Sequence, residues 1–393
     1  MSVIYKETNV FEEAVSRINM IFDHNDDIIV CMSGGKDSTV VFNLALRIAR
    51  ERNRLPLKVF WLDQEAEWQN TVDYMDKIMR MPEVKPLWYQ IPFDFPNNLS
   101  TAHGKETLLI WDPDKKDKWI HPQSDISIKV NPVDMTKENR DKAFYTLMNK
   151  LPDFNVDENA KSCGVLSGMR TDESLNRRTA IMSGGKATFM GETWARAKSG
   201  KKSKCQVFWP IYDFLSDDVW TAIAKNHWEY NKCYDVMYSW GVKKTNMRVS
   251  ALIHETSWVA IQMLQEFEKD TYNRFCARVN GVSTFNHAFD EGGIIPKDLP
   301  FMFKDWKEYR DYLLVHLVEP KYWEHYRNEW KNQFGDEWYQ CHVCEVILND
   351  TCGTINSNVA SKIGVESKIK NGNFFERNLA EYKKFKEGEN NGN

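Results

Sequence analysis

The chain has no long apolar run. No stretch of 18 apolar residues occurs among its 393 positions, and the opening "MSVIYKETNV" carries no basic-then-apolar pattern. These absences predict a protein with neither membrane span nor export signal, and so a cytoplasmic one. An excess of either charge is also missing: 52 basic and 56 acidic side chains leave a net charge of −4. Any contact with nucleic acid must then come from a local patch and not from the global field. No repeat with a period of 20–50 residues is visible. Cysteine is sparse and never adjacent to itself, with eight residues at 31, 163, 205, 233, 276, 341, 344 and 352. In a reducing compartment these read as buried hydrophobes, metal ligands or nucleophiles, not disulfides. What is present is ordinary for a soluble chain, 42% hydrophobic and 27% charged, and long enough for one large domain or two smaller ones.

The first half alternates short apolar runs with amphipathic stretches. Val10, Phe11, Ala14, Ile18 and Ile21 share one helical face; 27–32, 57–62 and 84–91 read as buried strands, and Ser38–Arg50 as a helix. Strand, helix and strand in succession predict right-handed βαβ units and a parallel sheet covered on both faces. "CGVLSG" (163–168) and "CQVFWPI" (205–211) are two further candidate strands. Ser216 is the expected N-cap of the next helix, with Asp217 and Asp218 in its first turn. The expected organisation is a nucleotide-binding α/β domain over 1–240, with a Trp-, Pro- and Asp-rich insertion at about 97–160. A helical, aromatic-rich domain follows over 241–380, and a polar tail over 381–393.

The stretch "IIVCMSGGKDSTVVFNLAL" (28–46) carries the first chemical signal. A strand runs into a Gly-Gly turn with a lysine, and a helix starts at once. An ATP/GTP P-loop needs a glycine five positions before its Gly-Lys and a Ser or Thr directly after; Val30 and Asp37 stand there instead. Anion capture survives without that motif. Glycines let backbone N–H groups converge, and the helix N-terminus adds unpaired donors. The dipole alone contributes only about 0.3–1 kcal/mol, so a polyanion needs Lys36, expected here as an exposed cation, and Mg²⁺ as well. "MSGGK" recurs at 182–186 without a preceding strand and reads as a flexible loop. It leads into "RAKSGKKSK" (196–204), either a solvated loop or a lid over phosphates or nucleic acid.

The order Ser33-Gly34-Gly35-Lys36-Asp37-Ser38 resembles the pyrophosphate loop of the N-type ATP pyrophosphatases. That superfamily includes sulfonucleotide reductases, tRNA thiolation enzymes and DNA phosphorothioation enzymes. The resemblance implies a doubly wound, mainly parallel sheet, with ATP or a sulfonucleotide held at its C-terminal edge. "GVLSGMRTDESLNRR" (164–178) resembles the arginine-bearing segment of phosphosulfate reductases and phosphorothioation enzymes. By that match Gly168, Arg170, Glu173, Ser174 and Arg177 join the nucleotide's anionic groups, and arginine suits the task through its planar fork. "WPIYDFLSDDVW" (209–220) resembles the segment that closes the same domain. Asp63 ends the second strand, where a carboxylate holds Mg²⁺ or the ribose, or simply caps a helix. Residues 246–281 and 344–352 resemble the IbrA-like branch of prophages and bacterial islands, often paired with a ParB-like protein.

A sulfonucleotide reductase carries its nucleophile in a Glu-Cys-Gly-x-His context. This chain has "TCGTI" at 351–355, and it lacks the Cys-Cys pair of the iron–sulfur reductases. The expectation is therefore an ATP pyrophosphatase that adenylates an acceptor for displacement by sulfur, the acceptor being DNA or another nucleic acid. Lys36, Asp37, Ser38 and Arg170 would be catalytic, ATP and Mg²⁺ the cofactors, and a separate sulfur donor a partner. The alternatives are a phosphosulfate reductase and a nucleotide-sensing co-regulator with a ParB-like partner. Cys341, Cys344 and Cys352, spaced C-x₂-C-x₇-C, offer three thiols for Zn²⁺ or an iron–sulfur cluster, which normally needs four ligands. His342, His254 or Cys276 would complete the set, or the thiols pack as buried hydrophobes.

Overall fold

The computed structural model describes residues 7–97, 99, 106–135, 142–182, 189–196, 202–244, 247–249, 252–253, 257–283 and 298–348. Helix α1 (Val10–His24) starts at Asn9, whose side chain accepts the amides of Phe11 and Glu12 in a capping box with Glu12. Strand β1 (Asp27–Cys31) leads through the Gly-Gly turn into α2 (Lys36–Glu51), and β2 (Leu57–Leu62) into α3 (Gln69–Met79) and β3 (Val84–Tyr89). Strands β4 (Cys163–Leu166), β5 (Ala195–Arg196) and β6 (Cys205–Phe208) complete a six-stranded sheet. Its order is β3-β2-β1-β4-β6-β5, parallel except for β5, which runs antiparallel to β6. This is the expected doubly wound, mainly parallel α/β sheet. All six residues of β2 are buried, and the apolar stripes of α1, α2 and α3 enter the same core, so the sheet is covered by helices.

Neighbours β2 and β4 flank β1 on opposite sides. The chain therefore changes direction at β1, and the carboxyl ends of β1 and β4 frame the crevice where such sheets bind ligands. Helix α6 (Ser216–Lys225) follows β6. Its N-cap is Leu215, not Ser216: the Asp218 carboxylate accepts the Leu215 amide at 2.8 Å, and the Ser216 hydroxyl is buried without a partner among the described residues. Asp217 and Asp218 do occupy the first turn.

The first compact unit comprises Met1–Pro96 and Thr107–Asn280, so the division near residue 240 is displaced. Two interactions explain why α8 (Trp258–Phe267) and α9 (Lys269–Arg278) belong with the sheet. The Glu268 carboxylate accepts the Gln69 and Asn70 amides at 2.7 and 3.1 Å, capping α3 from outside. Arg278 donates to Glu65 at 2.6 and 3.0 Å and to the Leu109 carbonyl at 2.6 Å. In the second unit, α10 (Trp306–Leu317), α11 (Trp323–Trp330) and α12 (Asp336–Leu348) bury Leu313, Leu314, Tyr326, Trp330, Val343 and Val346 together, the expected aromatic-rich helices. Among the described residues no helix is long and apolar enough to cross a membrane.

Candidate nucleotide site

The turn after β1 is shaped by its glycines. Gly34 takes φ +70°, and a Cβ there would lie 2.7 Å from the Thr71 methyl group, so both conformation and space require glycine. Asn231 clasps the turn, donating from Nδ2 to the Gly34 carbonyl at 3.0 Å and to Thr71 Oγ1 at 2.9 Å. Gly35 is the N-cap of α2, and its carbonyl accepts from the hydroxyls of Ser38 and Thr39, both at 2.9 Å. Ser33 is exposed, and its hydroxyl lies 3.3 Å from that of Ser38.

Lys36 is the first residue of α2 and is not the exposed cation expected from the turn. It is only 4% exposed. Its ammonium donates to Asp37 Oδ2 at 3.1 Å and to the Met247 carbonyl at 3.3 Å, beside the Tyr234 ring. The Tyr234 hydroxyl accepts the Lys36 amide at 2.9 Å. Burial, then the charge of Asp37, pushes the Tyr234 phenol far above its usual range, so it stays neutral. The amides of Asp37 and Ser38, next along the helix, have no acceptor among the described residues. They are the donors a helix N-terminus offers an anion.

Arg170, buried after β4, closes the network. Its Nε donates to Asp37 Oδ1 at 2.6 Å and its Nη1 to the Phe214 carbonyl at 3.0 Å. Lys36 and Arg170 thus grip opposite oxygens of Asp37. The segment that carries Arg170 reaches this position because residue 168 is glycine. A Cβ there would stand 2.7 Å from the Ser38 amide nitrogen and 2.8 Å from the Asp37 carbonyl carbon. Glycine therefore both allows the approach and leaves the Ser38 donor uncovered.

Glu173 accepts the Arg170 amide at 3.2 Å, forms an ion pair with the half-exposed Arg177, and takes a bond from Arg248 on its carbonyl. The Ser174 hydroxyl accepts the Arg177 amide at 3.2 Å and so caps α5 (Leu175–Met182). Glu173 and Ser174 organise the segment, while Arg177 and Arg248 stand in solvent beside it.

Asp63 lies apart from this network. It is fully buried, its Oδ2 accepting from Trp88 Nε1 at 3.0 Å and Gln90 Nε2 at 2.9 Å, its Oδ1 from the Glu65 amide at 2.9 Å. His121 Nε2 stands 3.4 Å from the same Oδ1, without the alignment of a good hydrogen bond. Burial opposes the charge on His121, but Asp63, the Pro122 carbonyl and Glu65 outweigh it and raise its pKa. Burial, then Asp63, pushes Glu67 well above the usual carboxylate range. These residues do not fit a Mg²⁺ site. Both oxygens of Asp37 already face a cation, both oxygens of Asp63 already accept hydrogen bonds, and burial disfavours a charge on Glu67.

Cys341 and Cys344 are buried on α12, and burial with the neighbouring Glu345 pushes the Cys344 thiol up to about 12. His342 stacks on Trp330 at 4.5 Å, and burial, then Arg310, pushes it down to about 3. Among the described residues no three metal-binding side chains converge. Cys352 and His254 lie outside the described residues, as do 183–186 of the second Ser-Gly-Gly-Lys and 197–201 of the basic run. Tyr234, Asn231, Thr71 and Met247 were invisible to sequence reasoning. Each joins the turn only through the fold.

A glycine turn at the switch point of a parallel sheet, with a helix N-terminus, a lysine and an arginine converging there, defines an α/β nucleotide-binding domain of the pyrophosphate-loop kind. The phosphoadenosine phosphosulfate reductase domain matches residues 27–240, more than half of the chain, and the protein belongs to that family. It is similar to the uncharacterized protein YbdN of Escherichia coli K12, with 27% identity over 350 residues, covering 86% of this chain and 82% of that one. Among solved structures it is similar to a phosphoadenylyl-sulfate reductase from Candida auris in a phosphate complex. That match has 12% identity, a TM-score of 0.31, and covers 60% of this chain and 94% of that one. It is also similar to the U34-tRNA thiolase NcsA of Methanococcus maripaludis with its [4Fe-4S] cluster, at 13% identity, TM-score 0.30, and 75% and 87% coverage.

Proposed function

We propose that this protein is an ATP pyrophosphatase that adenylates an acceptor and opens it to displacement by sulfur, with a nucleic acid as the acceptor class. The observation that supports this reading best is the pairing of unoccupied Asp37 and Ser38 amides with Lys36 and Arg170 around one crevice. An acceptor oxygen attacks the α-phosphorus, the bond to the β-phosphate oxygen breaks, and pyrophosphate leaves into those donors. Lys36 exchanges its Met247 carbonyl for phosphate oxygen, and Asp37 keeps Arg170 aligned. Preorganised donors of this kind are each worth roughly 10²–10³ in rate.

The family favours a second reading, sulfonucleotide reduction. It needs a thiolate. Of the thiols beside the loop, Cys233 lies 3.7 Å from Thr71 Oγ1 and burial pushes it well above its usual pKa, while burial pushes Cys31, at the end of β1, up to about 12. Cys352 lacks the flanking Glu and His of the reductase motif. Two assays separate the readings: pyrophosphate release from α-labelled ATP with DNA, tRNA and a sulfur donor, and sulfite release from phosphoadenosine phosphosulfate with thioredoxin. Acceptor-dependent pyrophosphate release without sulfite is expected. Sulfite release that vanishes in Cys352→Ser would overturn the adenylation reading.

A further inference from the structure

A second cavity, of about 620 Å³, opens in the first unit away from the glycine turn. Lys116 and Lys118 of the short helical stretch Pro113–Lys118, Lys129, and Arg274 of α9 line it, against one acid, Asp117. Trp119 supplies an aromatic wall, with the Lys116 ammonium 5.9 Å from its ring centroid. These walls are built and not merely gathered. Trp119 Nε1 donates to the Asp112 carbonyl at 2.9 Å and packs edge-on to Trp111 at 5.2 Å. Arg274 reaches the Ile120 carbonyl at 3.4 Å, and Gln123 Nε2 donates to the Gln90 carbonyl at 2.8 Å. His121, also in the lining, stands against Asp63.

Those anchors fix the cavity's position. Asp63 follows β2 and Gln90 follows β3, so the cavity sits on the sheet's carboxyl edge, as does the turn that follows β1. Adjacent strands are about 4.8 Å apart, which puts the two sites within the span of a short nucleotide strand. Four cations against one acid repel metal ions and favour phosphate. An indole in the same cavity favours a ligand that also brings a flat ring. An acidic peptide would use the charges and leave the indole idle.

We infer that this cavity binds a nucleotide unit of a single-stranded nucleic acid, through its phosphates on Lys116, Lys118, Lys129 and Arg274 and a base on Trp119. Binding of the strand stands on the cavity alone; the strand's role as acceptor rests on the adenylation reading above.

The test is fluorescence anisotropy of the full chain with a labelled single-stranded 12-mer, titrated with salt. The combined variant Lys116→Gln, Lys118→Gln, Lys129→Gln should bind at least tenfold more weakly. Its log–log salt slope should be shallower by about 2, since each lost phosphate contact on a single strand removes about 0.7. Trp119→Ala should lose about tenfold in affinity with a nearly unchanged slope, because stacking is not ionic. Both variants should keep wild-type ATP affinity, and Lys36→Ala should keep the strand, which separates this inference from the function of the turn. Wild-type binding by the triple variant would overturn it. So would displacement of the 12-mer by equimolar AMP, which would assign a free mononucleotide, or by oligoglutamate, which would reduce the cavity to a general anion surface.

Discussion

A single methyl group at position 168 tests whether the turn and the arginine segment form one site. In Gly168→Ala the new Cβ would lie 2.7 Å from the Ser38 nitrogen, 2.8 Å from the Asp37 carbonyl carbon and 3.0 Å from its oxygen. All three are backbone atoms, so no rotamer can relieve the contact. Ordinary van der Waals contact begins near 3.4 Å, which leaves a deficit of up to roughly 0.7 Å. Helix α2 cannot retreat, because its inward face from Val40 to Ala49 is locked in the core. The 167–170 segment must move instead, pulling the Arg170 Nε off Asp37. Overpacking of this kind costs about 1–3 kcal/mol, a large share of the roughly 5–15 kcal/mol that holds a domain folded. Urea denaturation should show a lower midpoint with an unchanged slope, and calorimetric titration with ATP should show weakened binding in the protein that remains folded. A variant with wild-type midpoint and wild-type ATP affinity would refute the argument that these two segments touch.

Lys36→Met should abolish pyrophosphate release and also lower stability by about 1.5–3 kcal/mol, the usual value of a hydrogen bond to a charged group; unchanged melting would mean the ammonium is not buried. Arg177→Ala should leave the denaturation midpoint within about 0.5 kcal/mol of wild type, since its ion pair with Glu173 is half in solvent. Arg170→Ala should be clearly destabilising in the same assay. His121 has a raised folded pKa, so its contribution is fully present below its unfolded value near 6.5 and fades as pH rises through the folded one. The stability margin of wild type over His121→Gln should therefore shrink from pH 6 to pH 8. Glu67 is the opposite case, a carboxyl whose pKa folding raises through burial and then Asp63. Glu67→Gln should match wild type at pH 4 and become progressively more stable above about pH 4.5, as read by denaturation at pH 4, 6 and 8.

The sheet was legible because β1, β2 and β3 are short, mainly apolar runs, interrupted only by Asp27, Lys58, Lys85 and Pro86, and α2 keeps a helical period directly after β1. The turn was legible because Ser-Gly-Gly-Lys-Asp-Ser is local, and the roles of Gly34 and Gly35 follow from six adjacent residues. Lys36 was misjudged as exposed for the same reason. The groups that bury it, Tyr234 and Met247, arrive from about two hundred positions away and leave no local trace. Asp63 at a strand end suggested a ligand, but Trp88 and Gln90 converge on it only once β3 has paired with β2. The domain boundary was placed at a change of composition near 240. Packing ignores composition, and the ties of Glu268 and Arg278 to the sheet carry that boundary to 280.

The clasp on the glycine turn also has a consequence for how the molecule is made. The turn itself leaves the ribosome within the first forty residues, but Asn231, Tyr234 and Met247, which hold it, come nearly two hundred residues later. At about 5–20 residues per second, that gap lasts roughly 10–40 s. During that time β1 and β2 can pair and α2 can pack, while Lys36 has neither its carbonyl nor its tyrosine. The nascent chain thus holds a sheet whose glycine turn has no clasp until Asn231, Tyr234 and Met247 emerge. A truncation that stops before residue 231 keeps the whole sheet and removes the clasp.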